Sequence, residues 1–139
     1  MKARRLVILM SFWLTLCSLP LLAGQQSESK PKDDAVPKYD VAAEKKFKVI
    51  VDEVKDRECP ISHGLGSHLL VKADNKTYEV HVAPTKLVKD YEAVFQKGDE
   101  LEITGIKTTF QGVDAILVRE IKHGNDTFVF RDPQGKPIW

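Results

Sequence analysis

The residue pattern of this chain predicts an all-β domain with one short helix. Three observations carry that reading. Short runs rich in β-branched and aromatic residues recur at 47–54, 68–73, 77–83, 100–106, 115–121 and 127–130. Turn-forming residues separate them: Asp74-Asn75-Lys76, Lys97-Gly98-Asp99, Gln111-Gly112 and Gly124-Asn125-Asp126. Helical spacing shows at one place, where Leu87, Val88 and Tyr91 follow Thr85, a candidate N-cap.

Taken in order, the chain opens on an export signal. Lys2, Arg4 and Arg5 precede an apolar run from Leu6 to Leu22, and Pro20 breaks that run before Ala23-Gly24. A retained membrane anchor is the rival reading, but the run falls short of the ~20 apolar residues a span needs. Residues 1–23 are thus expected to leave, and no stable membrane span remains. Residues 24–43 read as a flexible linker, rich in Gln, Ser, Lys and Asp with Pro31 and Pro37. The domain is expected over 44–139. Phe47–Val54 is its first strand. Residues 56–67, with Pro60, Gly64 and Gly66, are expected as a loop. His68–Ala73 and Thr77–Ala83 form a hairpin, and Pro84 stops it. The helix at 85–91 follows. Gly98-Asp99 then turns the chain into the strand Glu100–Ile106, Ala115–Ile121 comes next, and Thr127–Phe130 is an extra strand before a turn-rich tail.

Three strands, a helix, two strands and a further strand is the order of the oligonucleotide/oligosaccharide-binding (OB) architecture, with one strand added at the C-terminus. A five-stranded OB-fold-like barrel is therefore expected. SH3-like barrels share the strand count but place the helix differently.

Charge narrows the partners. The whole chain carries a net +1; without residues 1–23 it has 18 basic against 20 acidic residues, a net −2. Such a domain lacks the clustered Lys/Arg that dominates nucleic-acid affinity, which disfavours bulk nucleic-acid binding. Of the two cysteines, Cys17 leaves with the signal and Cys59 stays alone. It is buried and inert, paired with another chain, or a ligand.

His68-Leu69-Leu70-Val71, Val80-His81-Val82-Ala83-Pro84, Gly98-Asp99, Arg119-Glu120-Ile121, and Arg131-Asp132 with Gly135, Pro137 and Trp139 follow one another in that order. In this the chain resembles small exported bacterial OB-like domains and is similar to the MamS/MamX-type domain, over roughly residues 46–139. The resemblance implies fold and compartment. Haem-carrying members of such groups use Cys-x-x-Cys-His, which this chain lacks, so a cytochrome role is not carried over.

The chemistry-bearing residues are His68 and His81. A two-residue loop at Asp74-Asn75 pairs residue i with 149 − i, which sets His68 opposite His81 on the face away from Leu69, Val71, Val80 and Val82. Opposed Cβ atoms lie ~4.5–5.5 Å apart, close enough for two imidazoles to hold one ion. That face is expected toward solvent. Cys59 and His63 lie just upstream, giving one thiolate and three imidazoles, a set suited to Zn or Cu. The bland alternative is a polar strand face with a cross-strand His pair and a buried Cys59.

Arg119, Glu120, Arg131 and Asp132 form a second constellation, expected as structural ion pairs joining the last two strands, with one member of each pair inward. Tyr78, Phe110, Phe128 and Phe130 alternate as core residues, and Trp139 is expected to fold back as a lid. No Gly-x-Ser-x-Gly elbow, phosphate loop or His-Glu-x-x-His is present. The expected function is a non-catalytic exported binding module for a small ligand or an envelope protein. The alternative is a Zn/Cu-binding protein that uses the His pair.

Overall fold

A computed structural model describes residues 35–139. The export signal and most of the linker lie outside the described residues. Lys45–Cys59 forms β1, Gly64–Ala73 β2, Lys76–Pro84 β3, Thr85–Asp90 α1, Glu100–Phe110 β4, Val113–His123 β5 and Asp126–Val129 β6. A single turn of 3-10 helix, Val41–Ala43, leads into β1.

The strands lie in the order β3-β2-β1-β4-β5-β6. A parallel pairing of β3 with β5, Glu79 against Ala115 and His81 against Leu117, closes the first five into a ring. The helix sits between the third and fourth strands and β6 extends the sheet from β5, which is the OB-like barrel with one added strand.

Side-chain alternation builds the core. Val49, Val51, Leu69, Val71, Val80, Ile103, Ile116, Val118 and Ile121 point into the ring, where Phe130 joins them. Each such side chain contributes about 1.5–3 kcal/mol of burial. The opposite faces of the same strands, with Ile61 from the turn after β1, build a smaller second cluster from Cys59, Ile61, Ile106, Phe110, Ala115 and Leu117. On β5 the two sets alternate residue by residue, so that strand is buried on both sides.

The expected loop at 56–67 is a correction. Asp56–Cys59 and Gly64–Ser67 are strand, paired as far as Cys59 against Gly64, and the turn is limited to Pro60–His63. Ladder hydrogen bonds to a neighbouring strand outweigh the local breaking tendency of Gly64 and Gly66. Thr85 does not cap α1 either. Pro84 holds the cap position, and the Thr85 hydroxyl is buried with no hydrogen-bond partner among the described residues.

The Gly98-Asp99 turn forms as expected. Gly98 takes φ 93°, a left-handed conformation that favours glycine. Its N–H donates to the Val51 carbonyl at 2.7 Å, and the Asp99 carboxylate accepts from the Gln96 N–H at 2.7 Å.

Gly105 has a different role. It lies at the register shift between β4 and β5, where a Cβ would collide with the Leu117 carbonyl oxygen. Gly105→Ala is expected to cost ~2–3 kcal/mol by prying the two strands apart. A urea midpoint equal to that of the wild type would contradict this.

Candidate metal centre

Residues from three strands meet behind the second cluster. The hairpin register is the expected one: Leu69 pairs with Val80, Val71 with Tyr78 and His68 with His81. The imidazole centroids lie 4.5 Å apart, edge to face. The expectation that they face solvent is corrected. His68 is 0% and His81 4% exposed. They are on the outer barrel face, but the second cluster covers it. His81 lies beside Leu117 through the β3–β5 pairing, and its ring packs edge-on against Phe110 at 5.4 Å.

Cys59 reaches the pair because of a bulge. On β1, Val49 and Val51 point into the ring, and strict alternation would send later odd-numbered residues there too. Asp52 is an extra residue between the Val51–Val71 and Glu53–Leu70 pairs. That insertion inverts the alternation, so Lys55, Arg57 and Cys59 join the histidine face; Lys55 pairs directly with His68. Cys59 is 2% exposed, and its Sγ lies 3.4 Å from His81 Nδ1. One ligand atom each from Cys59, His68 and His81 falls within 4.8 Å of the others. His63 does not take part in this cluster. It is exposed in the turn at φ 54°.

Glu79, Arg57 and Lys55 are components that the sequence reading missed. Arg57 donates to Glu79 Oε1 from Nε at 2.8 Å and Nη2 at 2.7 Å, and Lys55 Nζ stands 3.9 Å away. The same Oε1 lies 2.9 Å from His68 Nδ1. That approach is short but poorly angled, and neither ring nitrogen of the buried His68 has a hydrogen-bond partner among the described residues. Glu79 stands two residues from His81 on one strand face, a signal the sequence did hold. Arg57 was hidden by the supposed loop.

Burial, and then the neighbouring His68, push the His81 pKa down to about 4. Burial, followed by the Arg57 charge, lowers that of His68 as well. Burial works to raise the Glu79 carboxyl, but the Arg57 hydrogen bond and charge outweigh it and hold the carboxyl below its ordinary range. Both imidazoles are therefore neutral near pH 7, with lone pairs available to a metal.

The residues fit a metal. A thiol and two neutral imidazoles converge, and the fully buried His68 forms no well-aligned hydrogen bond from either ring nitrogen among the described residues. Leaving such a group without a partner is costly, and coordination is one of the few remedies.

The second constellation is also corrected. No ion pair joins Arg119 or Glu120 to Arg131 or Asp132 among the described residues. Arg119 is the extra residue between the Thr104–Glu120 and Gly105–Val118 pairs, and it reaches back to Glu44 through Nε at 2.8 Å and Nη2 at 2.9 Å. Arg119 Nη1 also donates to Glu120 at 3.2 Å, and Glu120 accepts from the Thr104 hydroxyl at 3.2 Å. Arg131 turns inward without a carboxylate. It donates to the carbonyls of Val118 at 3.1 Å and Gly135 at 3.0 Å, between the rings of Tyr39 and Trp139. Asp132 closes the tail turn by accepting from the N–H groups of Gln134 and Lys136, each at 2.9 Å.

Comparison with known proteins gives structural matches and a family match. The chain is similar to the second OB-fold domain of replication protein A from Methanococcus maripaludis, at 16% identity and a TM-score of 0.38, over 61% of this chain and 85% of that one. No curated protein matches it. A family model matches residues 44–128, from the entry to β1 as far as β6. The chain belongs to the MamS/MamX magnetosome protein family.

Proposed function

We propose that this protein is an exported, non-catalytic binding module whose cargo is a soft transition metal held by Cys59, His68 and His81. The observation that carries the reading is the convergence of three buried ligand atoms within 4.8 Å. Two of the ligands oppose each other across a hairpin, and the third is delivered by a bulge. Thiolate with imidazole suits Zn(II) and copper rather than Mg or Ca.

Burial favours carriage over catalysis. A metal closed off by Phe110, Leu117 and Ile106 offers no open position to a substrate, whereas catalytic sites keep one. It also disfavours these histidines as an outward recognition surface for an organic ligand or an envelope protein. Export follows from the charged, apolar and small-residue order of residues 2–24.

The test is a titration of residues 24–139 with Zn(II) and Cu(II), beside a His68→Ala/His81→Ala double variant. The described fold spans residues 35–139, so this fragment contains the folded part. One-to-one binding by the wild type, lost in the double variant, is expected. Binding weaker than ~10 μM, or equal binding by both proteins, would refute the metal reading.

A further inference from the structure

We propose that the Cys59-His68-His81 site is built for a monovalent d10 cation, cuprous copper, in preference to a divalent one. The inference rests on the metal reading above and specifies its occupant. It is carried by charge balance and by donor number.

The site supplies one negative charge, the Cys59 thiolate. The carboxylate beside it, Glu79, is already engaged at Oε1 by Arg57, with Lys55 3.9 Å away. The outer shell thus holds two cations against one anion. A +1 ion on the thiolate leaves the buried centre neutral. A +2 ion leaves a net positive charge beside Arg57 and Lys55, walled by Ile106, Phe110 and Leu117. An unbalanced charge in such surroundings is strongly penalised.

Donor number points the same way. The cluster has three ligating residues among those described. His63, the one remaining candidate, is exposed in the Pro60–His63 turn. Zn(II) takes four ligands in nearly all structural sites. Thiolate and imidazole donors suit Cu(I), and the closed apolar wall keeps out the water that would complete a divalent shell. Loading replaces the thiol proton: the S–H bond breaks, the S–Cu bond forms and one H+ leaves for solvent. No electron is transferred.

The test runs under nitrogen on reduced residues 24–139. Cu(I), supplied as its acetonitrile complex, is titrated against a chromogenic Cu(I) chelator, and Zn(II) against a fluorescent zinc chelator. One Cu(I) per chain is expected, bound at least ~1,000-fold tighter than Zn(II). Softness alone would give part of that preference, so Arg57→Met is the sharper probe. Removing this cation frees Glu79 to offset a second positive charge. Zn(II) affinity should then rise ~10-fold while Cu(I) affinity moves less than ~3-fold. Arg57 is partly exposed, so the variant should keep the fold. Zn(II) binding as tight as Cu(I), copper held as Cu(II) with an EPR signal, or an equal response of both ions to Arg57→Met would overturn the cuprous assignment and leave the metal reading standing. Failure of the wild type to bind either ion would remove both.

Discussion

Cys59→Ala is expected to bind its metal at least ~1,000-fold more weakly than the wild type, a loss of about 4 kcal/mol. The thiolate is the charged ligand of the three, and each histidine alone is a neutral donor. The substitution removes one sulfur from a small apolar cluster with Ile61, Ile106, Phe110 and Leu117, so the metal-free variant should lose only about 1 kcal/mol of stability. The two effects separate cleanly in a melting experiment. Metal at ~100 times its dissociation constant should stabilise the wild type by about 2.7 kcal/mol and leave Cys59→Ala unmoved. Equal metal-induced shifts in the two proteins would place the ion elsewhere.

The second large effect is expected at Arg131. Its guanidinium is almost fully buried, and its two hydrogen bonds tie β5 at Val118 to the tail at Gly135. Tyr39, ahead of β1, and Trp139 flank it on ring faces, with the guanidinium carbon 5.0 Å and 5.4 Å away. One side chain thus joins the segment entering the domain, the fifth strand and the C-terminal turn. Arg131→Met keeps the volume but leaves two buried carbonyls unpaired, at a cost of ~3 kcal/mol. For a domain of this size that corresponds to a drop of roughly 10–20 °C in melting temperature. The tail should also become the first site cut in limited proteolysis. A variant melting within about 2 °C of the wild type would show that the clasp contributes little.

Much of the fold was legible because local signals agreed with the global one. The Asp74-Asn75 turn set the register of β2 and β3, and that register fixed His68 opposite His81. Pro84, the short helical spacing and Gly98-Asp99 marked the step from the third strand to the fourth. Strand ends were not legible, because Arg57, Glu58 and Cys59 become strand only by pairing with Gly66, Leu65 and Gly64. The bulge at Asp52 has no sequence mark either, yet it decides that Cys59 and Arg57 face the histidines. Burial of the His pair was equally hidden. It depends on Phe110, Ala115 and Leu117 arriving from a distant hairpin. The sequence pattern suggests an ion pair for Arg131, whereas its acceptors are backbone carbonyls that no side-chain pattern announces.

The most direct test of the metal assignment is X-ray absorption at the edge of the bound metal, on protein loaded with one equivalent. The predicted first shell is one sulfur near ~2.3 Å and two imidazole nitrogens near ~2.0–2.1 Å, with the sulfur contribution gone in Cys59→Ala. A shell of nitrogen and oxygen alone, or a sulfur signal that survives in Cys59→Ala, would contradict a Cys59-His68-His81 centre.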